Sequence, residues 1–84
     1  MDIKEAYLIV KKDHGKDFLL ECVDVGDRWA FFFHHEKINR DEIMGGGYDA
    51  VDKHTGDVSD IGTDPNSMFD IIHPGKQVRI DQFE

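Results

Sequence analysis

Five consecutive apolar residues, Trp29-Ala30-Phe31-Phe32-Phe33, constrain this chain more than any other feature. A run of that length, rich in aromatics, reads as a central β-strand. Successive strand residues point to opposite faces, so Trp29, Phe31 and Phe33 load one face while Ala30 and Phe32 load the other. The chain has 84 residues and one cysteine, so no internal disulfide can help. Ring burial has to hold the fold.

The run forms the second arm of a hairpin. Residues 17–25 and 28–36 flank Gly26-Asp27, and glycine first in a two-residue loop suits a type II′ turn. That register pairs Cys22 with Phe31, Leu20 with Phe33, and Phe18 with His35. One face then carries Phe18, Leu20, Cys22, Trp29, Phe31 and Phe33 as a core. The other carries Leu19, Glu21, Val23, Ala30, Phe32, His34 and Glu36 and is expected to be partly wet. A slip of one residue would exchange the two sets.

Residues 3–14 read as a helix. Asp2 is a good N-cap, and Glu5 three positions on completes a capping-box pattern. Ile3, Ala6, Tyr7 and Val10 line one face. Lys11 and Lys12 suit the negative end of the helix dipole, and Gly15 is placed to stop it. Residues 48–53 and 57–62 read as a second hairpin around Asp52-Lys53-His54-Thr55-Gly56, anchored by Tyr48, Val51, Val58 and Ile61. Between the hairpins, residues 37–47 form a long connection with room for a helical turn before its glycines. Asp64-Pro65 looks like a cap followed by the first helical residue, and a short helix over 65–72 would bury Met68, Phe69 and Ile72. His73-Pro74-Gly75 ends it, and residues 76–82 alternate around Val78 and Ile80 as a last strand. The expectation is a single α+β domain over residues 1–84. An N-terminal helix packs on an antiparallel sheet of about four to five strands, built from two hairpins, with a short C-terminal helix and a last strand.

Charge narrows the partners. Ten Lys and Arg against eighteen Asp and Glu give a formal charge of −8. Such a surface repels phosphate, so nucleic acid is not an expected partner, whereas a basic protein is. No apolar run approaches the roughly 20 residues that cross a bilayer, so no membrane association is expected. Met1-Asp2-Ile3-Lys4-Glu5 does not look like a secretory signal. A reducing, cytoplasmic setting suits the lone cysteine.

No constellation for catalysis stands out. His34 and His35 are adjacent on a strand and point apart, while His14, His54 and His73 fall in turns without ligand spacing, so no metal is expected. Asp49, Asp52, Asp57, Asp60 and Asp64 do not follow the spacing of a calcium loop and read as solvated charge. Gly45-Gly46-Gly47 lacks the Lys-Ser/Thr of a phosphate loop. Cys22 sits mid-strand on the aromatic face, where burial is expected, and Ser59 and Ser67 sit in no nucleophile motif. An enzyme and a cofactor are therefore not expected.

Phe32 is the residue whose cover is open. A helix on one side of the sheet leaves the other side to a partner protein, a second copy of the chain, or the chain's own C-terminal segment. If Phe32 is buried within one chain, an apolar interface there fails.

The N-terminal helix, Trp29-Ala30-Phe31-Phe32-Phe33, Gly45-Gly46-Gly47-Tyr48, and Val51-Asp52-Lys53-His54-Thr55-Gly56-Asp57-Val58 together resemble the YrhB-like immunity-protein family, over roughly residues 3–80. The resemblance implies a small bacterial protein that neutralises a toxin of a polymorphic toxin system. An acidic inhibitor of a basic toxin domain would associate quickly. The contact regions expected are the 36–47 connection and the acidic hairpin ends, with Asp24, Asp27, Glu36, Asp41 and Glu42 as the charges and Phe32 as an apolar contact. A small chaperone-like or accessory protein using the aromatic face is the alternative, and a homodimer through the open sheet face would serve either.

Overall fold

The computed structural model describes residues 1–43, 46–61, 66 and 68–83, with Met68 in its backbone only. Helix α1 spans Ile3–His14. The Glu5 N–H donates to Asp2 Oδ1 (2.9 Å), and Gly15, at φ 56°, closes the other end by donating to the Lys11 carbonyl (3.2 Å). Both caps stand where the sequence places them, because each needs only neighbours within one turn.

Strands β1 (Phe18–Asp24), β2 (Arg28–His34), β3 (Tyr48–Asp52), β4 (Val58–Ile61) and β5 (Lys76–Val78) form one antiparallel sheet in the order β4-β3-β2-β1-β5. The fold is α+β, as expected. The β1–β2 turn has Gly26 at φ 104°, with the Val25 N–H bonded to the Arg28 carbonyl (3.0 Å). The β3–β4 loop is held by Asp52, whose carboxylate accepts from the His54 and Thr55 N–H groups (2.7 and 2.9 Å), with Gly56 at φ 78°.

A β-bulge changes the first hairpin. Near the turn Cys22 pairs with Phe31, as expected. Between Leu19 and Glu21 the register shifts, so that Leu19 faces Phe33 and Phe18 faces His34. Leu19, not Leu20, therefore enters the core beneath α1, and Phe18 is left exposed. Leu20 and Glu21 both fall on the second face, as a bulge directs two residues against one.

The sheet has a core on each side. On the helix side Ala6, Tyr7 and Val10 pack on Leu19, Cys22, Phe31, Phe33 and Val51. Phe83 completes this layer by stacking on Tyr7, with centroids 4.9 Å apart. On the second side Val23, Ala30, Phe32, Tyr48, Ala50, Ile61 and Ile72 pack together, with Ile43 and Ile71 at the margin. The cover comes from a 3-10 turn at Arg40–Glu42 and a π-type turn at Met68–Ile72. Phe32 is only 3 % exposed. The second face is thus closed within one chain, and Phe32 is corrected from an apolar contact to a core residue. A homodimer through that face loses its apolar anchor for the same reason.

Three smaller expectations also change. Phe69 is 66 % exposed, because Ile72 takes the sheet-facing position of its turn and Phe69 lies beside His73. Val58 is 47 % exposed, with the packing of α1 concentrated on β2 and β3. The last strand ends at Val78, and Ile80 and Phe83 beyond it turn back onto the helix side. The Asp64-Pro65 cap, Gly45 and Ser67 lie outside the described residues.

Candidate functional site

The bulge aims Glu21 into a polar cleft on the second face. The Tyr48 hydroxyl donates to Glu21 Oε1, and the Gln77 amide donates to Glu21 Oε2 (3.1 Å). One carboxylate thereby ties β1 to β3 and to β5. Arg40 lies above this group. Its guanidinium sits 4.0 Å from the Phe32 ring centroid and 5.6 Å from that of Tyr48, and Nη1 donates to the Ile43 carbonyl (2.9 Å). The cation over the two rings pins the connection to the sheet. Burial, and then the hydrogen bond to Glu21, push the Tyr48 phenol up to about 12, so it remains a donor at neutral pH. Glu21, Arg40, Asp41, Tyr48, His73 and Gln77 line a cleft of about 400 Å³.

The expected contact charges do not form one patch. Asp24 and Asp27 belong to the β1–β2 turn, while Glu36, Asp41 and Glu42 lie beyond the far end of β2. A seven-residue strand separates them by about 20 Å. Asp24 is also occupied. Lys53 Nζ bonds to its Oδ1 (2.8 Å), as does the Gly26 N–H (2.9 Å), and these hold its carboxyl below the usual range. The Asp27 side chain is 70 % exposed and that of Glu36 is 62 % exposed. Asp41 and Glu42 are exposed at the rim of the Arg40 turn.

A second cluster escapes sequence reasoning. His14 Nδ1 faces Asp17 (3.2 Å), and Nε2 faces Asp49 on β3. The ring stacks on Phe33 with centroids 4.2 Å apart. Lys11 approaches the same Phe33 ring and donates to the Asp17 carbonyl (2.7 Å). With carboxylates at both ring nitrogens, both must donate, which is the protonated imidazolium. Burial pulls the pKa down, but the hydrogen bonds from Asp49 and Asp17 outweigh it, and the net direction is upward. Asp49 stands directly opposite Asp60, a like-charge pair that the imidazolium offsets. The only local hint is His14 at a helix C-terminus with Asp17 three residues on. Asp49 is 35 residues away.

This cluster makes stability pH-dependent. A folded pKa above the unfolded value near 6.5 means that the contribution is full below about pH 6.5 and is lost as pH rises through the folded pKa. Its size is on the order of 1 kcal/mol, because the pairs remain partly open to water. Urea unfolding of the wild type is expected to show a lower midpoint at about pH 8.5 than at about pH 6, and His14→Gln is expected to flatten that difference. An equal fall in the variant would assign the pH dependence elsewhere.

Burial also pushes the Cys22 thiol up to about 12, with Asp24 and Glu21 adding to the effect, so it is protonated at neutral pH. Among the described residues, no three or more His, Cys, Asp or Glu side chains are arranged to hold a metal ion, and no helix is long and apolar enough to cross a membrane.

Fold and surface together define a small acidic α+β protein whose sheet is covered on both sides by its own chain. Comparison with protein-family models, with curated proteins and with solved structures finds no match to this chain.

Proposed function

We propose that this chain is a cytoplasmic binding protein that neutralises a basic bacterial toxin domain by covering its surface, the role implied by the resemblance to the YrhB-like immunity proteins. The observation that carries the reading is the distribution of charge. Arg40 lies on Phe32, Lys53 lies on Trp29 and bonds to Asp24, and Lys11 lies near Phe33. These cations are drawn onto rings, while Asp27, Glu36, Asp41 and Glu42 face water. The end bearing Glu36, Asp41 and Glu42 presents three exposed carboxylates against one exposed lysine, Lys37, in a chain of formal charge −8. A field of that sign steers a basic partner and works without an apolar contact surface. Burial of Phe32 removes the main support for the chaperone-like alternative.

The end of the sheet bearing Glu36, Asp41 and Glu42 is the proposed contact region. The test is capture of a basic protein from the native host by tagged chain at low and high salt. Asp41→Lys with Glu42→Lys is expected to slow association about tenfold or more at low salt and to leave the melting temperature unchanged, since neither side chain is buried. Association of the double variant at the wild-type rate would remove this end from the interface. Capture of unfolded, salt-resistant clients would replace the inhibitor reading by the chaperone-like one.

A further inference from the structure

Strand β4 closes one edge of the sheet, and among the described residues it pairs only with β3. Its outward groups follow from the register. The Asp52 N–H bonds to the Asp57 carbonyl (2.9 Å). Antiparallel pairs alternate between bonded and non-bonded, so Ala50 with Ser59 and Tyr48 with Ile61 are the next bonded pairs. The N–H and C=O groups of Val58 and Asp60 are left pointing away from β3. Val58, Ser59 and Asp60 are all exposed.

We propose that this edge receives an extended segment of a partner protein as a sixth strand, with a basic residue opposite Asp60 and an apolar residue opposite Val58. The proposal rests on the binding reading above and names the element that reading leaves open. Two arguments fix the occupant. First, Val58 and Asp60 share the helix-side face, because their partners on β3 are Val51, in the helix-side core, and Asp49, bonded to His14. A residue opposite a strand position shares its face, so the incoming segment meets one carboxylate and one apolar side chain two residues apart. An apolar-x-basic pattern complements both. Second, the same charge excludes a second copy. Antiparallel pairing of β4 with β4 through the outward groups of Val58 and Asp60, centred on Ser59 or Asp60, would set the two Asp60 carboxylates on one face, diagonal or directly opposite, with each chain carrying −8. The opposite edge differs: β5 is three residues long and carries Lys76, two features that blunt an edge. β4 has neither lysine, proline nor bulge.

The test uses the full ¹⁵N-labelled chain with acetylated Thr-Val-Thr-Lys-Thr-Val at about millimolar concentration. Its counterpart with Glu in place of Lys is the control. The Lys peptide is expected to slow hydrogen exchange of the Val58 and Asp60 amides about tenfold, and the Glu peptide to leave them unchanged. Val58→Pro removes an outward N–H while sparing the bonds to β3, and is expected to abolish the effect in a chain that keeps its spectrum otherwise. Should that variant not fold, Asp60→Lys is expected to reverse the preference between the two peptides. No protection by the Lys peptide, or equal protection by both, overturns the proposal. Shifts confined to residues 36–43 overturn it too and leave the binding reading standing, since that reading is tested separately by Asp41→Lys with Glu42→Lys. Self-association of the chain alone that Val58→Pro removes would overturn it in favour of a second copy.

Discussion

Phe32→Ala is expected to cost about 3–5 kcal/mol of folding stability. A chain of this size has about 4–13 kcal/mol in total, so the variant should stand at the edge of unfolding at room temperature. The ring is 3 % exposed and lies against Tyr48, with centroids 5.3 Å apart, beneath the Arg40 guanidinium. Gly46 approaches so closely that an added Cβ there would stand 2.7 Å from the Phe32 ring. Removing the ring therefore leaves a cavity in one core and takes away the seat of the cation that fastens the connection. Phe69→Ala is the control. It removes a ring that is 66 % exposed and should change stability by no more than about 0.5 kcal/mol. Urea titration of the two variants beside the wild type separates the sites. A Phe32→Ala midpoint equal to that of Phe69→Ala would mean that the second face is open after all.

Gly75→Ala is the second large effect, expected at about 1–3 kcal/mol. Gly75 enters β5, and its N–H bonds to the Ile72 carbonyl (3.0 Å). A Cβ at this position would stand 2.4 Å from Val23 Cγ1 and 3.0 Å from the Asp24 carbonyl oxygen. Val23 is fully buried and the carbonyl belongs to β1, so neither neighbour can step aside cheaply. The melting temperature should fall by roughly 5–20 °C, at about 4–8 °C per kcal/mol for a domain of this size. A variant that melts with the wild type would show that β5 is not held against β1 at this point.

What could be read in the sequence divides by range. Helix α1, its caps, the Gly26 turn and the Asp52-to-Gly56 loop were legible, because each is set by residues within a few positions. The bulge at Leu20 was not. Nothing local distinguishes Phe18-Leu19-Leu20 from regular alternation, and the shift depends on what Glu21 meets on β3 and β5. The cover over Phe32 was legible only in part: burial of Ile72 and a C-terminal segment as cover could be read, whereas Arg40 and Ile43 belong to a connection without a periodic apolar face. The contact charges could be listed from the sequence. Their division between two ends of the sheet, and the occupation of Asp24 by Lys53, required the strand order. His14 looked like a surface histidine, because Asp49 is distant in the chain.

The position of β5 bears on how the protein is made. Glu21 and Gln77, bonded across β1 and β5, are 56 residues apart in the chain, whereas both hairpins close locally. Loop closure over that distance is slow compared with hairpin formation, so β5 should dock last during folding. Until it does, β1 presents the unpaired backbone edge of Cys22-Val23-Asp24 to every other nascent copy. The yield of native protein should therefore be governed by a race between arrival of the last strand and aggregation, and cooler, slower synthesis should favour the former.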